Sequence, residues 1–573
     1  MNTAHYTVDG EVAVLTLDNP PVNGLSIELR IALAAGLDRA QADPAVKAIV
    51  ITGAGGVFCG GADLRQINTP QYWAYPRTIQ LAHLLDQIAK PVVAVIDGLA
   101  LGGGLELALG CHYRLATASA RLALPEVRLG LLPGGGATLR LPRLVGLESA
   151  VRMMLDGAMT GAREALASGL IDAVIDAAPL PGGIAYARAI AARGQSVRRA
   201  RDLPVPADGG AEFFRECRRG LAPGRARAAI LACVEAGVTL PFEEAVRLTD
   251  EATRELMESD EAAALRYLFF AEREAGKPDS ATVPSCRIGR ATRVRHAAVP
   301  ERTGWLAASM QEAGEITVLL DCTGNWRVEQ SSAVAGADDD DAALRALVGA
   351  DLIVVDADDE TVQRELLRAA GHYIRAETMV ALIRGQARIG DASVDIMARD
   401  ALRLYCAPVG KLAEIQQPDR ADANLAAVVR YVRDRGGKAV LTRGARAPIW
   451  ELVVEQARSC LAQCAEAGLD PVDIGRALRQ IGFGKSAVDV LLSGVLPENR
   501  CVEPEGPVTE AANEAVRVAM GRMAQEGARL LEMRCVARAS DVDVAMVGAG
   551  LFPATLGGPM YQVACQAKKD AGG

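Results

Sequence analysis

Histidine is scarce in this chain, with five among 573 residues, at positions 5, 83, 112, 296 and 372. Aromatic residues make up only 4% of it. Chemistry that needs a histidine base therefore has few places to sit. No apolar run reaches the roughly 18 residues that a membrane helix requires. The richest stretch, 92–110, is broken by Asp97 and Glu106. No block of lysine and arginine stands out, and the 62 basic residues are outnumbered by 71 acidic ones, for a net charge of -9. That balance argues against a dedicated nucleic-acid binder, although a local positive field remains open to a small anion. The twelve cysteines are scattered. Their closest pair, Cys460 and Cys464, has neither redox-motif nor zinc spacing, so reduced thiols and no metal site are expected. The first residues enter an alternating strand without a signal-peptide pattern, and the final KKDAGG is not a peroxisomal address. A cytoplasmic location and no membrane partner are the corresponding expectations.

Half of the residues are apolar and 23% charged, a globular composition, and the length suggests about four domains. The first half alternates strand and helix signals: Val12 to Leu17, a helical period over Ile27 to Ala42, and the apolar runs 48–52 and 92–96. Residues 211–277 read as helices. A second alternation follows, with strands expected at 316–320, 351–355, 379–383, 401–405 and 439–442, and helices at 342–348 and 421–434. The four aspartates 338–341 fit a solvated helix start better than a cation site. After Arg446 the pattern is helical, with a break at 496–499. These signals divide the chain into 1–190 and a helical extension to 280, an α/β region over 281–446, and helical parts over 447–496 and 497–573.

Two glycine-rich turns lie about forty residues apart, Phe58-Cys59-Gly60-Gly61-Ala62-Asp63 and the run 98–106 that ends Gly102-Gly103-Gly104-Leu105-Glu106. Each follows an apolar strand. A turn that opens a helix presents unpaired N–H groups and the positive end of the helix dipole. Two such groups from different loops can hold one oxyanion, and glycine lets the substrate approach the backbone. Close packing of helix on strand explains the glycines equally well. Glu106 and Glu126 then add two carboxylates in apolar settings, where burial raises a carboxyl's pKa. Such a pair suits general acid and base work. Three aromatics, Tyr72, Trp73 and Tyr75, fall in five residues; they either shape a pocket or pack a helix on the core.

FCGGADL, KPVVAVIDGLALGGGLELALGC and LPEVRLGLLPGGGATLRLPRLVG together resemble the crotonase (enoyl-CoA hydratase/isomerase) superfamily, in its order and spacing. The resemblance implies a crotonase spiral fold and a coenzyme A thioester substrate. It puts the Gly60 and Gly103 N–H groups on the thioester oxygen and Gly60, Gly61, Ala62, Asp63 and Gly103 along the substrate. Glu106 and Glu126 take the two acid/base positions. Having both implies hydration of a trans-2-enoyl-CoA to the 3-hydroxyacyl-CoA. The place of Glu126 leaves room for a Δ3,Δ2-enoyl-CoA isomerase activity. The loop 71–75 would border the acyl pocket.

NPPVNGLS, ALRYLFFAEREAGK and LGGPMYQVA extend the likeness to the multifunctional enzymes of fatty-acid β-oxidation. In that family a linker helix leads to an NAD-dependent 3-hydroxyacyl-CoA dehydrogenase with a Rossmann domain and two helical domains. Here the strand 316–320 runs into Asp321-Cys322-Thr323-Gly324-Asn325-Trp326-Arg327, which lacks the G-x-G-x-x-G turn. The family's histidine position falls on Leu402, while its glutamate is matched by Glu414. The expectation is a degenerate Rossmann-like domain that binds no NAD, in a chain that works as a monomer with a thiolase as a possible partner. A bifunctional hydratase/dehydrogenase and a non-catalytic scaffold are the alternatives.

Overall fold

The computed structural model describes residues 4–67, 69–175, 178–194, 197–204, 210–222 and 224–277. Beyond these it describes 291–296, 305–313, 316–320, 326–329, 350–356, 366, 379–384, 402–407, 409–416, 423–445, 447–496 and 502–571. The chain divides into two units, 1–263 and 264–573.

In the first unit, strands β1 (Ala4–Asp9), β2 (Val12–Leu17), β3 (Ala48–Gly53) and β4 (Val92–Ile96) enter one sheet. Strand β5 (Leu99–Leu101) leaves it, β6 (Tyr113–Thr117) rejoins it, and β7 (Arg121–Ala123) and β8 (Thr160–Gly161) lie with β5 before β9 (Ala173–Ile175) closes the edge. The large sheet has the order β1-β2-β3-β4-β6-β9 and is parallel except for β1 against β2. Its central strands are apolar without alternation because both faces are covered. The small sheet is β5-β7-β8.

The two sheets are linked by a repeated move. After β4 the chain turns at Gly98, pairs as β5 and enters the helix Gly103–Gly110. After β6 it pairs as β7 and enters the short helical turn Glu126–Leu129. Gly98 has φ +63°, and a Cβ there would lie 2.1 Å from the Gly56 carbonyl oxygen, so only glycine makes this corner. A bridge between Cys59 and Ala100 ties the first glycine loop to the same small layer. The spiral thus lays residues 59–62, 99–103 and 121–126 side by side, although the sequence separates them.

The helices Ala211–Gly220, Arg225–Thr239 and Phe242–Met257 bury Phe214, Ile230, Leu231 and Leu256 in the same apolar cluster as Leu105, Leu131 and Leu141. The helical extension up to residue 263 therefore shares the core of the first unit.

The second unit holds a sheet of β10 (Ala291–His296), β11 (Ile316–Leu320), β12 (Trp326–Glu329), β13 (Leu352–Asp356), β14 (Met379–Arg384), β15 (Leu402–Cys406), β16 (Leu412–Gln416) and β17 (Lys438–Thr442). The order is β12-β11-β10-β13-β14-β15-β16-β17. Strand β10 runs parallel to both β11 and β13, which flank it, so β10 is where the order reverses. This corrects the reading of 316–320 as the opening strand. The turn that would carry a dinucleotide fingerprint follows β10, at 297–304, outside the described residues. Its sequence, AAVPERTG, holds one glycine. Strand β11 is followed by β12, antiparallel to it, where a crossover helix was expected. The segments 338–341 and 342–348 lie outside the described residues.

The helices Ile449–Glu466, Pro471–Gln480, Lys485–Leu491, Glu510–Glu532, Ala539–Gly548 and Pro559–Ala571 complete this unit. Trp450, Phe483, Met523 and Val542 belong to one apolar cluster, so the helical parts before and after residue 497 share a core.

Candidate active site

The backbone of the two glycine loops decides which N–H groups are free. The Gly60 N–H donates to the Val22 carbonyl at 2.7 Å, so it is not available to a substrate. The expectation that Gly60 supplies an oxyanion donor is corrected on this ground. On that loop the N–H of Ala62 has no hydrogen-bond partner among the described residues, and on the second loop that of Gly103 has none either. Both flank one point: the position a Cβ would take on Gly103 lies 3.5 Å from the Ala62 nitrogen. Gly103 opens the helix Gly103–Gly110, whose dipole adds to the attraction for an oxyanion.

Neighbouring residues make this arrangement rigid. Gly61 has φ +98°, and a Cβ there would sit 2.7 Å from the Leu101 oxygen. Cys59 N–H donates to Leu99 O at 2.9 Å, and Leu101 N–H to Cys59 O at 3.0 Å. Buried Asn23, at φ +54°, donates its amide to Ala54 O at 2.9 Å and Val57 O at 2.6 Å. Asn23 sits in the NPPVNGLS stretch, yet nothing local revealed that it braces a loop thirty residues away. Asp63 is buried, and its carboxylate takes the Arg65 guanidinium at 2.6 to 3.2 Å, which holds it below the usual carboxylate range. Its negative charge is thus occupied within the loop.

The two glutamates are held differently. Glu106, on the first turn of its helix, is buried, and one of its oxygens accepts from Gly135 N–H at 2.7 Å and Ala137 N–H at 3.1 Å. Burial pushes its carboxyl up to about 7 against the lowering pull of those N–H groups. Glu126 sits where the chain leaves β7. Its Oε2 is buried without any hydrogen-bond partner among the described residues. Burial first, and then repulsion from Glu106, holds its pKa well above the usual carboxylate value. The glycines around them are steric necessities. A Cβ on Gly102 would meet Glu126 Oε1 at 2.7 Å, and one on Gly135 would meet Glu106 Oε2 at 2.5 Å. The structure therefore brings together Glu106, Glu126, Gly103 and Ala62, with one carboxyl pinned and the other free to trade a proton.

The loop after the first glycine turn is fixed by a residue the sequence did not single out. Arg30 is buried on the helix Ile27–Ala42. Its guanidinium donates to the carbonyls of Gln71 at 2.6 Å, Ala74 at 3.1 Å and Pro76 at 2.9 Å, with Tyr72 O at 3.4 Å. Tyr72 stacks edge-on against Trp73, and Trp73 carries Arg254 over its ring at 4.6 Å. Trp73 thus packs the loop on the core, while Tyr75 is exposed. The Tyr72 hydroxyl is raised to about 12, first by burial and then by the charges of Glu106 and Glu126. Each carbonyl stripped of its donor in a buried place costs roughly 1–3 kcal/mol. Arg30→Met should therefore lower the stability of the first unit by about 3 kcal/mol. Denaturant titration of the full chain checks this, and an unchanged first transition would refute the clamp.

Among the described residues no histidine takes part in the site. His112 accepts the Val92 N–H through Nδ1 at 3.0 Å and is kept neutral by burial. In the second unit, Leu402 is buried in an apolar cluster, and the residue facing Glu414 across the strands is Tyr405. Glu414 is fully buried and caps the helix Ile449–Glu466, accepting from Ile449 N–H at 2.6 Å and Trp450 N–H at 2.9 Å. His372 lies outside the described residues. No group of three or more metal-ligating side chains occurs among the described residues.

Comparison with known proteins gives the same reading of the first unit. Residues 7–196 match the family model for enoyl-CoA hydratase/isomerase. The peroxisomal bifunctional enzyme of Danio rerio is 42% identical over 274 residues, which cover 47% of this chain and 38% of that protein. The human peroxisomal bifunctional enzyme is 40% identical over 283 residues, covering 48% and 39%. The glyoxysomal fatty acid beta-oxidation multifunctional protein MFP-a of Brassica napus is 37% identical over 295 residues, covering 49% and 41%. The matched stretch thus spans about two-fifths of each relative's length.

Proposed function

We propose that this chain, whose residues 7–196 make it a member of the crotonase superfamily, adds water across the double bond of a trans-2-enoyl-CoA. The observation that carries this is the pairing of buried Glu106 and half-buried Glu126, whose Oε2 is buried, with two N–H groups from neighbouring turns of the spiral that lack partners among the described residues. The thioester oxygen accepts from Ala62 and Gly103. Ionised Glu106 takes a proton from a water as its oxygen bonds to C3. The π electrons move toward the thioester, and its oxygen gains negative charge. Protonated Glu126 then gives its proton to C2, and return of a proton from Glu106 to Glu126 resets the pair. Raised pKa values allow one carboxyl to be charged and the other neutral at the same pH.

Isomerisation of a 3-enoyl to a 2-enoyl thioester is a second activity of the same site. Glu126 Oε2 lacks a hydrogen-bond partner among the described residues, and a proton shift from C2 to C4 needs one such carboxyl. The reading expects Glu106, pinned by two N–H groups, to be dispensable for that shift.

The second unit is proposed to lack dehydrogenase activity and to leave NAD unbound. Leu402 in place of a histidine, and Glu414 engaged as a helix cap, support this. The chain is proposed to work as a monomer in the cytoplasm, with a thiolase as a downstream partner. All described cysteines are free thiols, which suits a reducing compartment. Among the described residues no helix is long and apolar enough to cross a membrane. A single cuvette with the protein, a short trans-2-enoyl-CoA and NAD tests both halves of the reading. Loss of the enoyl absorbance with no NADH is the expected result. NADH formation would restore the dehydrogenase, and an unchanged enoyl signal across a panel of acyl groups would remove the hydratase.

A further inference from the structure

Thr78 opens the helix Thr78–Gln87, directly after the Arg30-clamped loop. Its hydroxyl has no hydrogen-bond partner among the described residues. The position of a Cβ on Gly103 has three near neighbours: Leu25 Cδ1 at 3.4 Å, Ala62 N at 3.5 Å and Thr78 Oγ1 at 3.5 Å. Two of the three are polar atoms with nothing to bind, and the third is an apolar wall. On its other side, the Thr78 methyl lies 2.7 Å from where a Cβ on Gly135 would be, and Glu106 Oε2 lies 2.5 Å from that same place. Thr78 therefore stands between the oxyanion donors and the base.

We infer that Thr78 is a third oxyanion donor, its hydroxyl joining the Ala62 and Gly103 N–H groups on the thioester oxygen, an assignment that rests on the hydration reading. The described residues offer the hydroxyl no acceptor, and a thioester oxygen held by Ala62 and Gly103 would supply one. The hydroxyl keeps its proton throughout. As C3 takes the water oxygen and the π electrons move toward the thioester, the oxygen gains charge and the Thr78 bond shortens. Such a donor acts more strongly on the transition state than on the bound substrate, so its loss appears in kcat rather than KM. The methyl fixes the rotamer, since it fills the gap beside Gly135.

The test compares the full chain with Thr78→Val, which keeps the shape and removes the donor, and Thr78→Ser, which keeps the donor. Removing one oxyanion donor typically costs about 10²–10³ in kcat. With two backbone donors remaining, a fall of about 30-fold in kcat is expected for Thr78→Val, with KM within about 2-fold and Thr78→Ser within about 3-fold of the parent. The second readout is spectroscopic. Bound 2,4-hexadienoyl-CoA absorbs at longer wavelength when its thioester oxygen is polarised. The shift should shrink in Thr78→Val and persist in Thr78→Ser. An unchanged shift and kcat in Thr78→Val would overturn the assignment while leaving the hydratase standing. No turnover and no shift in the parent protein would instead overturn the hydration reading itself.

Discussion

Glu126→Gln lowers kcat for hydration of a short trans-2-enoyl-CoA by about 10³-fold, and Glu106→Gln does so to a similar extent; positioned acid and base groups are worth about 10²–10⁴ each. The glutamine keeps the size of the side chain but holds no exchangeable acid proton. The substrate should still bind, because the Ala62 and Gly103 N–H groups are untouched. The two variants part company on a 3-enoyl-CoA. Glu126→Gln abolishes isomerisation, whereas Glu106→Gln retains part of it. Equal residual isomerisation in both would refute the division of labour. The pH profile carries the same signature. Burial places Glu106 at about 7, so its base form is lost as pH falls through neutrality and not near the ordinary carboxylate value. Burial and repulsion from Glu106 hold Glu126 well above the usual carboxylate value, which favours its acid form, and loss of that proton sets the basic limb. A bell-shaped kcat/KM with its acidic limb near neutrality is expected. A flat profile down to pH 5 would show that Glu106 is not the base.

Glu414→Gln destabilises the second unit by about 3 kcal/mol without changing hydratase kcat. Each oxygen of Glu414 accepts one N–H of a buried helix start, and glutamine turns one acceptor into a donor facing a donor. A buried N–H left without a partner costs roughly 1–3 kcal/mol, and an N–H facing an NH2 is worse. The helix start needs this carboxyl on its own account, whatever the domain does with cofactors. Burial lifts the Glu414 carboxyl to about 8 and that of Asp543, which receives Tyr267 and two N–H groups, to about 7. Both folded values are raised, so their contribution is fully present below the ordinary carboxylate value and is lost as pH rises to about 8. The second unit should unfold more readily at pH 8 than at pH 5. Calorimetry of the full chain at several pH values checks the direction, and a greater stability at pH 8 would refute it.

The sequence patterns located β2, β3 and β4, both glycine loops and both glutamates, because apolar runs and fixed spacing are local signals. They did not show which amide was free. Gly60 loses its N–H to a carbonyl from Val22, and that partner is visible only once the chain has folded back. Arg30 and Thr78 escaped for the same reason, since an arginine in a helix and a threonine at a helix start look ordinary until the loop folds over them. Strand β10 was missed because ATRVRH, with two arginines, lacks the apolar run of a central strand. Missing it moved the presumed nucleotide turn from 297–304 to 321–327. The short β16 was hidden by Glu414, whose charge type speaks against a buried strand.

The bridge between Cys59 and Ala100 bears on how this chain can vary in length. It pins the two donor loops to each other and to β7, independently of the chain that runs between them. The stretch 64–70, between the first donor loop and the segment that Arg30 clamps, can therefore gain or lose residues as an insertion in a clamped frame. A change of length there leaves the atoms that stabilise charge in register.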